Sequence, residues 1–263
     1  MKVVHGVDAL EASLGRLFVV IGVFDGLHLG HQYLLERLRE AAASHGADPA
    51  VITFDHHPDE VITGSAPPLL CDPEERLERL EAAGVTVTVV QTFDVALRMT
   101  PYDEFVRRIA DRIDLAGFLM TPESAFGHDR GGTAETVAAL GREIGYDTVV
   151  VPPFLLDGAP VSSGAIRRAI AAGDLATAER LLGHPYGIVG SPTLPRDGGH
   201  ELTVPLPVAL PPPGTYRVAV TRADGPIGPP RDGSLTVTAE LGLCLESAAG
   251  IDGSSELVRA VFR

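Results

Sequence analysis

The chain has 263 residues and a formal net charge of -14, from 35 acidic and 21 basic side chains. This length predicts one large domain or two smaller ones. The acidic balance argues against nucleic acid as a partner, because that binding needs a basic surface. An anionic substrate must therefore be attracted by a local group of histidines, arginines and backbone N–H donors.

Targeting and redox signals are weak. No apolar run reaches the ~20 residues that span a bilayer, and Met1–Asp8 lacks the charged-then-apolar order of a signal peptide. Cys71 and Cys244 lie far apart and show no metal-ligand spacing. We therefore expect a cytoplasmic protein with no membrane partner, no disulfide framework and no zinc site.

Apolar stretches alternate with helical patterns over the first two thirds of the chain. The predicted strands cover 17–23, 50–54, 85–90, 115–120 and 148–151. The predicted helices cover 31–43, 73–83, 101–113, 133–144, 162–172 and 174–182. This alternation predicts an α/β fold, a Rossmann-like parallel sheet with helices on both faces.

The pattern changes near residue 187, where prolines become frequent. Short alternating segments at 215–220, 235–238 and 257–262 predict strands of a small antiparallel barrel or sandwich. The expected domains are therefore 1–187 and 188–263.

Ligands of parallel sheets bind at the carboxyl ends of the strands. The predicted elements place four polar loops at that edge, so we expect them to form one site. The loops cover 22–31, 54–60, 121–132 and 160–167.

The first of these loops joins a buried strand to a helix and contains a His-x-Gly-His sequence. Its glycines allow close approach to a ligand, and the helix N-terminus attracts phosphate. His28 and His31 are expected to point the same way and donate hydrogen bonds to a phosphate oxygen. A protonated imidazole would also neutralise charge that develops there. Asp25 is either a metal ligand or a structural residue of the turn, and we favour the structural role.

A second set of residues opens the helix at 162–172. Paired serines in this position are commonly helix caps. Ser162, Ser163 and the free N–H groups of the helix start also suit a polyphosphate, and Arg167 adds a positive charge. Both interpretations stay open.

Two further loops carry polar residues without a firm assignment. Asp55, His56, His57 and Asp59 are spaced like metal ligands but lack a further ligand in register, so we predict a polar loop and no metal site. The segment 126–132 is glycine-rich and precedes a helix. It is either a lid, a second ligand contact or a surface connection.

The motif Gly22-x-Phe24-Asp25-Gly26-x-His28-x-Gly30-His31 resembles the nucleotidyltransferase signature of bacterial FAD synthetases, which fuse an FMN adenylyltransferase to a riboflavin kinase. Three further segments agree in order and spacing. They are Thr53–Pro58, Phe126–Gly127 followed by Gly131, and Ser162–Ser163 followed by Ile166–Arg167. The resemblance covers residues 17 to about 190.

This resemblance implies an HUP-type adenylyltransferase at 1–187 that uses ATP with Mg²⁺ and converts FMN to FAD. Implied catalytic residues are His28, His31 and Arg167. Implied ATP-binding residues are Gly22, Phe24, Asp25, Gly26, Gly30, Ser162 and Ser163. Implied acceptor-binding residues are Phe54, His57, Pro58, Glu123, Ser124, Phe126 and Gly127.

Two departures from the family pattern keep alternatives open. Glu123 and Ser124 stand where relatives carry Asn or Asp followed by Phe, which favours transfer of AMP or CMP to a different phosphorylated acceptor. The kinase signature Gly-x-Pro-Thr-Ala-Asn is missing, and its nearest counterpart is Ser191-Pro192-Thr193-Leu194. We therefore expect a reduced kinase-like barrel at 188–263 without riboflavin kinase activity. A non-catalytic nucleotide- or flavin-binding module is a third alternative, and the oligomeric state stays open.

Overall fold

The computed structural model describes residues 1–193, 200–223, 229–247 and 257–263. These residues form two compact units. The first unit contains Met1–Pro67 and Pro73–Pro160, and the second contains Pro68–Asp72 and Val161–Arg263.

The first unit is built on a parallel sheet. Its strands are β1 (Lys2–His5), β2 (Arg16–Ile21), β3 (Asp48–Phe54), β4 (Val87–Gln91), β5 (Asp114–Met120) and β8 (Asp147–Val150). Two short antiparallel pairs follow β5 and β8, namely β6 (Ala125–Phe126) with β7 (Gly132–Thr133), and β9 (Leu155–Leu156) with β10 (Ala159–Pro160). Within residues 1–160, all of them described, the parallel sheet has the order β1-β4-β3-β2-β5-β8.

Helices cover both faces of this sheet. They are α1 (Leu29–Ser44), α2 (Pro58–Thr63), α3 (Pro73–Ala82), α4 (Val95–Met99), α5 (Tyr102–Ala110) and α6 (Ala134–Ile144). Leu17 and Val19 of β2 belong to the apolar cluster that contains the buried side chains of α5 and α6. Phe18 and Val20 belong to the cluster that contains those of α1. Burial on both faces explains the continuous apolar run that marks β2 in the sequence.

The second unit combines two helices with an antiparallel barrel. The helices are α7 (Ser163–Ala171) and α8 (Leu175–Leu182). The strands are β11 (Gly187–Pro192), β12 (His200–Thr203), β13 (Gly214–Arg222), β14 (Arg231–Val237), β15 (Leu243–Ser247) and β16 (Val258–Phe262). The described strands close in the order β11-β12-β15-β14-β13-β16, because β16 pairs with β11. Leu69 joins this unit through backbone bonds with Pro207 and Ala209, at 2.8 and 2.9 Å.

The predicted fold class is confirmed, with a parallel Rossmann-like sheet and a separate antiparallel barrel. The predicted limit near residue 187 is where β11 begins, whereas the compact units divide after Pro160. The assignment of 1–187 and 188–263 as domains therefore stays a proposal. Part of the predicted kinase-motif counterpart, Leu194, lies outside the described residues.

Several predicted elements need correction. The sheet has an additional edge strand, β1, which the sequence analysis missed because only one of its four residues is buried. The helix predicted at 101–113 ends at Ala110, and the separate helix α4 precedes it. α2 occupies part of the predicted loop at 54–60. None of the helices in the described ranges is long and apolar enough to cross a membrane.

Candidate active site

The order of the strands selects one edge of the sheet for ligand binding. β2 lies between β3 and β5, and the chain fills the β3 side first before it returns to β5 on the other side. Ligands of open parallel sheets bind at such a switch point, outside the carboxyl ends of the strands. The segments that follow β2 and β5 are therefore the two that border the expected crevice.

The turn after β2 is strained and buried. Phe24 and Leu27 have φ angles of 53° and 37°, in the left-handed region that non-glycine residues rarely adopt. Gly26 between them has φ 75°. The side chains of Phe24 and Leu27 are 0% and 2% exposed, so burial holds this backbone in place. Strain of this kind concentrates at functional sites.

The turn ends in a stacked pair of histidines. The rings of His28 and His31 lie 3.6 Å apart between centroids, with 17° between their planes. His28 is the N-cap of α1, and its Nδ1 accepts a hydrogen bond of 3.3 Å from the backbone N–H of His31. Because Nδ1 is the acceptor, the remaining proton of a neutral His28 ring lies on Nε2. The sequence-based expectation that the two rings point the same way is confirmed.

His31 is neutral at pH 7 in the protein alone. Burial and, to a smaller extent, the adjacent His28 lower its pKa well below the ordinary value of 6.5. Desolvation disfavours the cation in the protein alone, so the expected protonated imidazole beside a bound phosphate stays a prediction. Its Nδ1 is buried and has no hydrogen-bond partner within the part of the chain that the structure describes. A phosphate beside this ring would raise the pKa again.

The N-terminus of α1 adds backbone donors to this position. The sequence predicted Gly30 in the loop before the helix. The helix instead begins at Leu29, so Gly30 is its second residue. The first N–H groups of a helix have no partner within the helix and carry a partial positive charge. The helix α1, 16 residues long, begins at the end of the turn that follows β2 and thus directs this charge to the expected crevice.

Phe24 and Asp25 are buried in this turn, and their predicted contact with ATP stays a prediction. The Phe24 ring is fully buried and lies 5.1 Å from the His31 ring, so only its backbone is available to a nucleotide. A Cβ on Gly22 would lie 3.0 Å from the same ring, which explains the glycine there. Asp25 is 3% exposed, and its structural role in the turn stays a prediction.

Two residues without a role predicted from the sequence hold this turn from other elements. The hydroxyl of Thr53 on β3 donates to the carbonyl oxygen of Val23 at 3.0 Å. Arg76 on α3 donates to the same oxygen at 3.2 Å and to the carbonyl of Phe54 at 2.9 Å. Both side chains are buried. No motif indicated Arg76, because it lies in a charged stretch that is typical of a solvated helix face.

The segment after β3 is polar, and its side chains form hydrogen bonds with nearby groups. Burial alone would raise the pKa of Asp55, but hydrogen bonds from Thr92 and His56 outweigh this effect and lower it. His57 caps α2 by accepting from the N–H of Asp59 at 3.2 Å. No group of three or more His, Cys, Asp or Glu side chains in the described ranges is placed to hold a metal ion.

The segment after β5 carries four of the seven predicted acceptor residues, namely Glu123, Ser124, Phe126 and Gly127. The Ser124 hydroxyl makes two bonds with Thr121: it accepts from the backbone N–H at 3.0 Å and shares a bond with the side-chain hydroxyl at 2.9 Å. Its hydroxyl therefore stabilises the turn itself. Glu123 is exposed, and its backbone carbonyl accepts a hydrogen bond from the guanidinium of Arg130 at 3.1 Å.

Phe126 and Gly127 have packing roles in this segment. The Phe126 ring lies 6.2 Å from Phe105 and 6.1 Å from Phe118, at the margin of the core. Gly127 has φ 75°, and a Cβ there would lie 2.6 Å from the backbone nitrogen of Tyr102. Only glycine fits this approach. Whether either residue also touches an acceptor stays a prediction.

The predicted phosphate clamp belongs to the second unit. Ser162 is the N-cap of α7, and its hydroxyl accepts from the N–H of Ala165 at 3.3 Å. Ser163 is the first residue of the helix. The Nε of Arg167 donates to the carbonyl of Pro68 at 2.7 Å. The capping role of Ser162 is confirmed, and the phosphate-binding role of these three residues stays a prediction.

A family model and curated relatives match more than half of the chain. A family model described as FAD synthetase matches residues 10–165. A bifunctional riboflavin kinase/FMN adenylyltransferase of Haemophilus influenzae is 33% identical over 192 residues, which are 72% of this chain and 62% of that protein. Its counterpart from Pseudomonas fluorescens is 34% identical over 191 residues, 72% of this chain and 61% of that protein. The chain thus spans about three fifths of these curated relatives.

A solved structure agrees with the whole fold. The crystal structure of a protein described as a macrolide-efflux protein, from Streptococcus pneumoniae, has a TM-score of 0.83 and 22% identity. The match covers 100% of this chain and 90% of that chain. At this identity the likeness supports the architecture alone.

Proposed function

Because the chain belongs to the FAD synthetase family, we propose that it transfers the adenylyl group of ATP to the phosphate of FMN, which yields FAD and pyrophosphate. The observation that carries this proposal is the stacked His28–His31 pair at the N-terminus of α1, beside the switch point of the sheet. The same pair sits inside the region that the family model matches.

The proposed reaction is a single displacement at phosphorus. An oxygen of the FMN phosphate forms a bond to the α-phosphorus of ATP while the bond from that phosphorus to the β-phosphate oxygen breaks. Transfer at phosphorus is catalysed mainly by positioning and by stabilisation of developing negative charge. His28 Nε2–H and one N–H of the neutral His31 ring supply hydrogen bonds for that charge.

The remaining parts of the proposal concern the phosphates and their metal. Mg²⁺ is proposed to arrive with the ATP phosphates as part of the substrate and to neutralise charge on the leaving pyrophosphate. Ser162, Ser163 and Arg167 are proposed to bind phosphate oxygens of ATP. We also propose that the reaction takes place in the cytoplasm and that the chain does not phosphorylate riboflavin.

A direct assay tests the proposal. Purified protein is incubated with ATP, FMN and Mg²⁺, and FAD and pyrophosphate are quantified in equal amounts by chromatography and an enzymatic pyrophosphate assay. Reactions without FMN, with CTP in place of ATP, and with riboflavin in place of FMN serve as controls. FAD formation that needs both ATP and FMN supports the proposal, and ATP binding without turnover on FMN overturns it.

A second candidate acceptor is favoured by the segment after β5. The exposed carboxylate of Glu123 and the engaged hydroxyl of Ser124 leave this segment without the aromatic side chain that gives apolar contact to a flavin ring. We therefore propose, as the second candidate, adenylyl or cytidylyl transfer to another small phosphorylated compound. Pyrophosphate release with such a compound, but not with FMN, identifies this outcome.

A further inference from the structure

The strained turn after β2 is fixed at its first peptide group. The Val23 carbonyl oxygen accepts hydrogen bonds from Thr53 Oγ1 at 3.0 Å and from Arg76 Nη1 at 3.2 Å. Val23 immediately precedes Phe24, the first left-handed residue of the turn. The two bonds therefore set the orientation of the peptide plane from which the turn, and then the histidine pair, extends.

Arg76 also connects this turn to the neighbouring strand. Its Nη2 donates to the carbonyl of Phe54, the last residue of β3, at 2.9 Å. A guanidinium is planar and rigid, so its two terminal nitrogens hold both carbonyls at a fixed separation. Arg76 is only 6% exposed, and water competes little for these bonds. Arg76 thus adds a second side-chain link, beside Thr53, between the turn after β2 and the end of β3.

We infer that Arg76, together with Thr53, is a positioning residue for adenylyl transfer. It acts through the Val23 carbonyl, by holding the turn in the geometry that stacks His28 on His31. The inference rests on the proposed function for its kinetic consequence, because a displaced donor pair stabilises the transition state less. Its structural consequence, the disturbed stack, does not depend on which reaction the protein catalyses.

The kinetic experiment uses Arg76→Lys, which keeps the charge but lacks the planar fork. We expect kcat to fall about 10- to 100-fold, since small misplacements of catalytic groups have effects of this size. The KM for ATP is expected to change less than about threefold, because ground-state binding is retained. Thr53→Val removes one of the two bonds, and its kcat is expected to fall about three- to tenfold.

Matched controls separate this effect from general destabilisation. Arg107→Lys changes an exposed arginine whose guanidinium bonds Glu143. Thr88→Val changes another fully buried strand threonine, whose hydroxyl lies 2.9 Å from the Met1 sulfur. Both controls are expected to retain kcat within about twofold, because neither contacts the turn.

A spectroscopic experiment tests the positioning without any substrate. Rings stacked at 3.6 Å shift each other's proton resonances strongly. In Arg76→Lys the Cε1–H signals of His28 and His31 are expected to move towards those of unstacked histidines, while Arg107→Lys and Thr88→Val leave them in place. Unchanged signals together with wild-type kcat per folded molecule in Arg76→Lys overturn the inference. A wild-type protein that lacks turnover refutes the proposed reaction instead, and the signals then still decide the positioning role.

Discussion

The segments that follow β2 and β5 border the same switch point but are stabilised in opposite ways. Asp25, Gly26, Leu27 and His28 are all buried, and side chains of β3 and α3 bond the carbonyl that precedes them. In the segment after β5, Glu123 and the pair Asp129–Arg130 are exposed. Its side-chain bonds, such as Thr121 to Ser124 and Arg130 to Glu123, stay largely within the segment.

This contrast suggests that the turn after β2 serves the proposed reaction, whereas the segment after β5 serves the choice of acceptor. A change in the turn after β2 disturbs buried packing and a strained backbone, so its residues are constrained together. The segment after β5 touches the core mainly through Phe126 and through the close contact of Gly127 with Tyr102. Its exposed positions are free to vary without cost to the sheet. The family pattern is accordingly complete in the first segment and altered in the second, at Glu123 and Ser124.

Removal of the His31 ring is expected to give the largest effect. In His31→Ala, kcat for FAD formation should fall about 10²- to 10³-fold, as for the loss of one preorganised donor to developing charge. The fold should persist, because the bond to His28 Nδ1 comes from the backbone N–H of residue 31, which alanine retains. Steady-state kinetics with ATP and FMN, together with circular dichroism, measure both quantities.

His5→Ala is the control for this variant. His5 is exposed at the end of β1 and lies far from the turn in the sheet order, three strands away from β2. It should retain wild-type kcat. A near-normal kcat in His31→Ala would contradict the catalytic role of the stacked pair. It would also contradict the proposed contrast between the two segments.

A methyl group at Gly127 tests how firmly the second segment contacts the core. Gly127→Ala places a Cβ 2.6 Å from the Tyr102 nitrogen at φ 75°. We expect it to lower the free energy of unfolding by about 2 to 4 kcal/mol, from overlap and backbone strain together. Gly64→Ala is the matched control, since Gly64 has φ 83° and no atom within 4 Å of its Cβ position.

The control variant isolates the overlap. Gly64→Ala carries the backbone strain alone and should cost about 1 kcal/mol. Differential scanning calorimetry of both variants gives the difference. Equal losses of stability in the two variants would mean that the backbone near Gly127 can move away from Tyr102 and relieve the overlap. The segment after β5 would then be packed less tightly against the core than the 2.6 Å distance indicates.

The lowered pKa of His31 predicts a pH dependence that belongs to the first segment. The folded state binds this proton less readily than the unfolded state, whose histidine pKa is about 6.5. The contribution of the neutral ring to the free energy of unfolding is therefore fully present above pH 6.5. It decreases as the pH falls below that value, by up to about 1.4 kcal/mol per pH unit. His31→Gln should lack this slope. Urea unfolding of both proteins at several pH values between 7.5 and 5.5 measures it.

The same ring should take up a proton when ATP binds near pH 6, because the phosphates raise its pKa. Calorimetric titration in buffers of different ionisation enthalpy detects this uptake. Identical heats after correction for dilution, in buffers that differ in ionisation enthalpy, would show that the nucleotide phosphates do not contact His31.

The sequence predicted the parallel sheet and the position of the histidine pair because both depend on local patterns. β2 is a continuous apolar run, and His28 and His31 are separated by the spacing that brings side chains together at a helix start. β1 escaped prediction because an edge strand with one buried residue has almost no hydrophobic pattern.

The rest of the site depends on contacts that are distant in sequence. Arg76 meets Val23 across 53 residues, and no local pattern encodes that meeting. The neutral state of His31 likewise follows from burial and from the ring stacked against it, which only the folded structure supplies. The sequence motif indicated which residues matter, whereas their protonation and positioning came from packing.

The exposed carboxylate of Glu123 is expected to give the smallest effect and tests the variable segment directly. Glu123→Gln removes a negative charge without changing the shape of the side chain. If this segment borders the acceptor, the KM for FMN should fall about two- to threefold, since exposed charges contribute roughly 0.2–1 kcal/mol. The value of kcat should not change, because the histidine pair is unaffected.

Salt dependence and a control distinguish this repulsion from other causes. The decrease in the KM for FMN caused by Glu123→Gln should disappear at ionic strengths of about 1 M, where the Debye length is about 3 Å. Glu240→Gln, which alters an exposed glutamate of the second unit, should leave the KM for FMN unchanged. A KM for FMN that stays the same in Glu123→Gln at low salt would place the acceptor phosphate away from this segment. In that case the acceptor would be expected to bind beside the turn after β2, and Phe54 and His57 would be the next residues to test for contact with it.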